Sequence, residues 1–181
     1  MSTQFLSKPA RIRKVVGHLA ENSKQMDLAV AFVGRDWRDA LANFRGNLRV
    51  ICWLSSTNTN PDAVRQLMKR AHTEVRQRDG MHAKVYIANL GAVVGSANLS
   101  ARALSELEQS GQDEAAVFLD DKNSKDTISK WFRELWDAPD TRCISNYDLD
   151  RAAEAFWKAR KAKQSSGSGG RQTKDSSVTE L

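Results

Sequence analysis

Four polar residues recur at strand spacing between Arg78 and Ser100: His82 and Lys84, then Ser96 and Asn98. Side chains two apart in a strand point the same way. His82, Lys84 and Tyr86 therefore share one face of a predicted strand, and Ala83, Val85 and Ile87 share the other. The second face is small and apolar, fit for a core. The first sets an imidazole beside an ammonium. On the next predicted strand, "AVVGS", Gly95 removes a Cβ next to Ser96. Antiparallel pairing through a tight turn at Asn89-Leu90-Gly91 would bring His82 and Lys84 close to Ser96 and Asn98. The cluster then holds a nucleophile or base, a fixed positive charge, a hydroxyl and an amide. A helix expected from about Ser100 to Glu108 adds an N-terminus that favours an anion. These groups suit a phosphate.

The elements that must position them alternate along the chain. "ARIRKVVGHLAEN" carries Ile12, Val15, Val16 and Leu19 at helical spacing. Leu28–Val33 and Leu48–Leu54 are continuous apolar runs, as in strands buried on both faces. A short helix near Asp36 holds Trp37, Ala40, Leu41 and Phe44 on one side. Asn60, Pro61 and Asp62 form a helix start, with Asn60 as N-cap. "TEVRQR" and Glu114–Leu119 are further predicted strands. Ile128, Trp131, Phe132, Leu135 and Trp136 form the apolar stripe of an amphipathic helix, and a last helix begins near Tyr147. Such alternation predicts an α/β layered domain with a mixed sheet. The domain is expected over residues 1–162, followed by a flexible Gly/Ser-rich polar tail over 163–181.

Composition narrows the function. The 181 residues include 40% hydrophobic side chains and five Trp, enough for a real core. No run approaches the length of a membrane helix, and the start lacks a secretory h-region. Cys52 and Cys143 lie far apart, as in a reduced, cytoplasmic protein with buried thiols. No Cys/His pair has metal-ligand spacing, and no Walker loop is present, so neither a metal nor a cofactor is implied. The net charge is +6, but the segment from Lys158 onward contributes +4 of it. Phosphate binding must therefore come from local residues. His18 and His72 are assigned to the surface; Trp53, near a strand end where α/β sites sit, is assigned to packing, with a place on the pocket rim beside Thr59 and Asn60 as the alternative.

The stretch resembles the signature of the phospholipase D superfamily. That signature is HxK, four residues, Asp, and farther on GSxN. Here it reads His82-Ala83-Lys84, Val85 to Ala88, Asn89 in place of Asp, and Gly95-Ser96-Ala97-Asn98. Asn suits the expected turn as well as Asp does, at the loss of one negative charge. The family usually places an acidic residue at the start of the strand after the next helix; "GQDEAAVFLDD" supplies Glu114, with Asp113 as its neighbour and alternative. The resemblance covers roughly Leu28 to Trp136.

It implies a phospholipase D-like layered fold with a mixed β-sheet flanked by helices, and metal-independent phosphodiester cleavage through a phosphohistidine. Lys84 and Asn98 would hold the non-bridging oxygens, Ser96 and Gly95 would support the phosphate, and Glu114 would orient His82. A second histidine must protonate the leaving group. With one motif per chain, it would come from a homodimer with a composite site on the two-fold axis. The expected activity is a nuclease acting on DNA or RNA, with no membrane partner and room for a separate specificity or helicase-type partner. The alternatives are a non-catalytic nucleic-acid- or partner-binding module, and a phospholipid phosphodiesterase or transferase.

Overall fold

The structure, a computed structural model, describes residues 3–100, 103–104 and 113–167. In chain order its elements are β1 (Thr3–Leu6), α1 (Pro9–Glu21), β2 (Gln25–Val30), α2 (Trp37–Ala40), β3 (Asn47–Cys52), α3 (Pro61–Met68) and β4 (Thr73–Gln77). There follow β5 (Lys84–Ala88), β6 (Gly91–Gly95), β7 (Ala116–Leu119), α4 (Lys122–Trp136), β8 (Arg142–Cys143) and α5 (Asn146–Gly167). The strands form one sheet in the order β1-β7-β6-β5-β2-β3-β4-β8. β2, β3 and β4 run parallel, and the other neighbours pair antiparallel. The α/β fold with a mixed sheet is thus the one expected.

Helices cover both faces because the central strands are apolar on both. Leu28, Val30, Val50, Cys52 and Tyr86 join the larger core with Ile12 and Val16 of α1, Val64 and Leu67 of α3, and Leu149 of α5. Ala29, Ile51, Val85 and Ile87 face the other way, against Phe132 and Trp136 of α4. The two faces of β5 therefore divide as its alternation predicts. Asn60 caps α3 by accepting from the backbone N–H groups of Asp62 and Ala63. Burial pushes the Cys52 thiol up to about 12, whereas Cys143 is exposed, so only one of the two thiols is buried as expected.

Several elements differ from the sequence reading, each for a physical reason. β2 starts at Gln25 rather than Leu28 because Asp27 is accommodated inside it. The Arg49 guanidinium, opposite Asp27 on β3, donates to both carboxylate oxygens at 2.8 and 2.7 Å. β1 and β8 are edge strands with only Leu6 buried between them, too short and too polar for alternation to reveal. Trp131, expected in the apolar stripe, is 37% exposed, and Phe132 and Trp136 make the contact instead. α5 continues to Gly167, past the expected boundary at residue 162. The helix expected from Ser100 to Glu108 and the tail beyond residue 167 fall largely outside the described residues.

Candidate active site

The site forms where β2 and β3 end and β5 begins. β2 and β3 are parallel, so their C-terminal ends lie side by side, and β5 enters antiparallel with Lys84 opposite Val30. Beyond Val30 the chain stays extended: Ala31 N–H donates to Ala83 O at 2.9 Å, and Val33 bridges Leu99. Phe32 therefore arrives between the two halves of the motif. Its backbone N–H donates to Asn98 Oδ1 at 3.0 Å. Its ring meets the His82 ring edge-on, with centroids 5.7 Å apart. With Oδ1 so engaged, Asn98 keeps its amide NH2 as a donor.

Lys84 is the first residue of β5 and only 8% exposed. Its ammonium donates to His82 O at 2.6 Å, lies 3.0 Å from His82 Nδ1, and is 5.7 Å from the centre of the Phe32 ring. Burial holds the Lys84 pKa below the ordinary lysine value, and the negative charge of Glu114 partly opposes that shift. A desolvated ammonium attracts an anion more strongly than one in water. His82 lies just before β5 and is exposed, so its ring is accessible to substrate. Tyr86, two residues on, is fully buried and donates its hydroxyl to Ala97 O at 3.0 Å. Burial raises the pKa of that hydroxyl, keeping it a donor. It pins the loop that carries Ser96 and Asn98.

Ser96 and Glu114 form a second pair. β6 and β7 approach so closely that a Cβ on Gly95 would lie 2.4 Å from Ala115 O. The space left by Gly95 is thus taken by the neighbouring strand, and the missing Cβ permits that approach. Ser96 N–H donates to Ala115 O at 2.9 Å, and Ser96 Oγ donates to Glu114 Oε2. Glu114 is thus hydrogen-bonded to Ser96, the partner of its carboxylate in this structure. The cause is register: the β6–β7 pairing sets Ser96 against residue 115, within reach of the adjacent carboxylate.

Two aromatic residues at the site carry no polar motif. Phe32 stacks on Trp53, with centroids 6.4 Å apart, and Trp53 Nε1 donates to Ser55 Oγ at 2.8 Å. Trp53, assigned to packing, is half-buried beside the site. The signal available was position: Phe32 and Trp53 end two apolar runs that become adjacent parallel strands. The other two histidines lie at the opposite end of the sheet. His72 precedes β4, where its carbonyl accepts from Leu48 N–H, and His18 sits in the last turn of α1, beside Asn22. Among the described residues no cluster of three or more His, Cys, Asp or Glu could hold a metal, and no helix is long and apolar enough to cross a membrane.

Comparison with known proteins agrees with this architecture. NucT from Helicobacter pylori shares the fold with a TM-score of 0.65 at 17% identity, over 79% of this chain and 99% of that one. Nuc from Salmonella typhimurium, a phospholipase D family member, gives 0.61 at 16% identity, over 80% and 99%. Phosphatidylserine synthase from Haemophilus influenzae gives 0.59 at 13% identity, over 92% of this chain and 46% of that one. No curated protein matches by sequence. The family model described as "Cardiolipin synthase, PLD-like domain" matches residues 18–136, a span that runs from the end of α1 to the end of α4 and contains every motif residue. The chain is thus a member of the PLD-like domain family, within the phospholipase D superfamily of phosphodiesterases.

Proposed function

We propose that the protein is a metal-independent nuclease that cleaves phosphodiesters through a phosphohistidine at His82, in a composite site built by two copies of the chain. The buried Lys84 ammonium against the exposed His82 imidazole carries this reading. A ring nitrogen of His82 attacks phosphorus; the P–N bond forms as the P–O bond to the leaving group breaks. Lys84 and the Asn98 amide stabilise the non-bridging oxygens as charge builds on them. The partner copy's imidazole gives its proton to the leaving oxygen. It then takes a proton from water, whose oxygen attacks phosphorus and breaks the P–N bond, freeing His82. The pair must start in opposite protonation states, which a shared site can arrange. Glu114 acts through Ser96, holding its hydroxyl beside the phosphate.

The need for a second copy rests on distance as well as on motif count. The chain has three histidines, and His18 and His72 lie at the far end of the sheet. That separation is the length of a strand, about 17 Å. Nucleic acid is favoured as substrate by the exposed His82 beside the Phe32–Trp53 stack, since bases stack on aromatic rings whatever their sequence.

The test is cleavage of plasmid, single-stranded DNA and RNA in EDTA. Cleavage is expected, and His82→Ala should reduce it about 10³-fold or more. A strict requirement for Mg²⁺ would defeat the mechanism, and inactivity on all three substrates would defeat the enzyme. Sedimentation should find a dimer; a monomer at every workable concentration defeats the composite site. A second reading, a non-catalytic nucleic-acid-binding module, is favoured by Glu114 bonding Ser96 instead of His82.

A further inference from the structure

A cavity of about 620 Å³ opens between α5 and the segments that follow β2 and β3. It lies in the size range of ligand sites, about 300–1,000 Å³. Its cations are Arg35, Arg160 and Lys163, and its carboxylate is Asp36. α5 supplies its wall from one face: Phe156, Arg160 and Lys163 recur at helical spacing, with Phe156 buried as the anchor. The Arg160 guanidinium lies 4.7 Å from the centre of the Phe156 ring, and that of Arg35 lies 5.5 Å from the centre of Trp157. Both arginines are exposed. Aromatic faces hold their position while leaving their N–H groups free to meet an anion.

The cavity continues from the site. Its floor includes Gly34 and Ser100, and Gly34 N–H donates to Leu99 O at 2.9 Å. Gly34 is two residues beyond Phe32, and Ser100 two beyond Asn98, so the cavity starts at most about 7 Å of chain from the motif residues. A polymer with regularly spaced phosphates, held at Lys84 and Asn98, would meet the cavity with a flanking phosphate. The family match ends at residue 136, and α5 begins at Asn146. The basic wall therefore lies beyond the span that the family model matches.

We propose that this cavity is a second phosphate subsite, which holds the nucleic-acid backbone next to the scissile phosphodiester through Arg35, Arg160 and Lys163. The proposal rests on the nuclease reading for its choice of polyanion. Fluorescence anisotropy with a fluorescein-labelled single-stranded oligonucleotide tests it in the full chain carrying His82→Ala, at several salt concentrations. Hydrolysis of bis(p-nitrophenyl) phosphate by the His82 chain is measured in parallel. Arg35→Ala with Arg160→Ala should weaken oligonucleotide binding about tenfold or more and reduce the salt slope by about 1.4. It should leave kcat/KM for the small diester unchanged. Arg35→Lys with Arg160→Lys, which keeps the charge, should restore most of the slope. Unchanged affinity and slope in the alanine variant would overturn the subsite. If the His82 chain hydrolyses neither substrate but binding still depends on the two arginines, the subsite stands and the nuclease reading falls.

Discussion

Two groups of cations lie next to each other in this protein, and they are built in opposite ways. Lys84 comes from a hairpin in which its partners are close in sequence. It is 8% exposed, and backbone and ring atoms of His82 surround its ammonium. Arg35 and Arg160 come from distant parts of the chain, are exposed, and rest on aromatic rings. The contrast matches the roles proposed for each. Stabilising charge in a transition state calls for a fixed, desolvated donor. Attracting a flexible polyanion calls for solvated charges spread along its path, which act through counterion release. A strand inside a sheet can bury an ammonium on short-range contacts. A helix laid across the surface can only present its cations to water.

The largest way to break this contrast is Lys84→Ala. Hydrolysis of even a small diester should fall about 10²–10³-fold, whereas loss of the cavity arginines should spare that substrate. The pH dependence sharpens the point. Burial lowers the Lys84 pKa from its ordinary 10.5, so kcat/KM should fall as pH rises through that lowered value. Stability should move the other way. The unfolded chain binds more protons between the lowered value and 10.5, so burying this lysine costs less as pH rises across that window. Parallel profiles of kcat/KM and of Tm check both signs, and an alkaline limb at or above 10.5 would refute the assignment to Lys84.

A smaller effect is expected where strand packing frames the site. Gly95→Ala forces a Cβ against Ala115 O and the Ala116 side chain. Urea denaturation should report a loss of about 1–3 kcal/mol, with hydrolysis reduced as Glu114 moves from Ser96. Full activity at unchanged stability would show that the close β6–β7 approach is dispensable.

The smallest effect concerns the anchor of the basic wall. Ser145 and Asp148 cap α5 reciprocally: Ser145 N–H donates to Asp148 Oδ2 at 2.8 Å, and Asp148 N–H donates to Ser145 Oγ at 3.2 Å. Arg142 adds two donors at 2.9 Å and, with Ser145, holds the Asp148 carboxyl well below the usual carboxylate range. Its contribution to stability is present above the ordinary 3.8 and is lost as pH falls through the lowered value. Asp148→Ala should cost about 1 kcal/mol in urea denaturation and weaken oligonucleotide binding. Small-diester hydrolysis should be untouched; a loss there would tie α5 to the chemistry and erase the contrast.

Much of the framework was legible in the residues themselves. Local rules acted on neighbours: the alternation through Val85 and Ile87, the Asn60-Pro61 helix start, and the spacing of Phe132 and Trp136. The motif spacing likewise singled out His82, Lys84, Ser96 and Asn98 as candidates, because all four fall within one hairpin and the residues that flank it. Edge strands β1 and β8 escaped, since few of their side chains are buried. Ser145-x-x-Asp148 was readable as a cap, and only the helix behind it was predicted.

Sequence by itself determined the class of chemistry and the faces of the hairpin, because both depend on residues a few positions apart. The tertiary structure alone decided three matters that depend on distant segments. Sheet order brought Phe32 and Trp53 beside His82. The β6–β7 register placed the Glu114 carboxylate against the Ser96 hydroxyl. The path of α5 joined Arg160 to Arg35 across one cavity. No local period encodes such meetings; they are settled by which surfaces the whole chain must bury together.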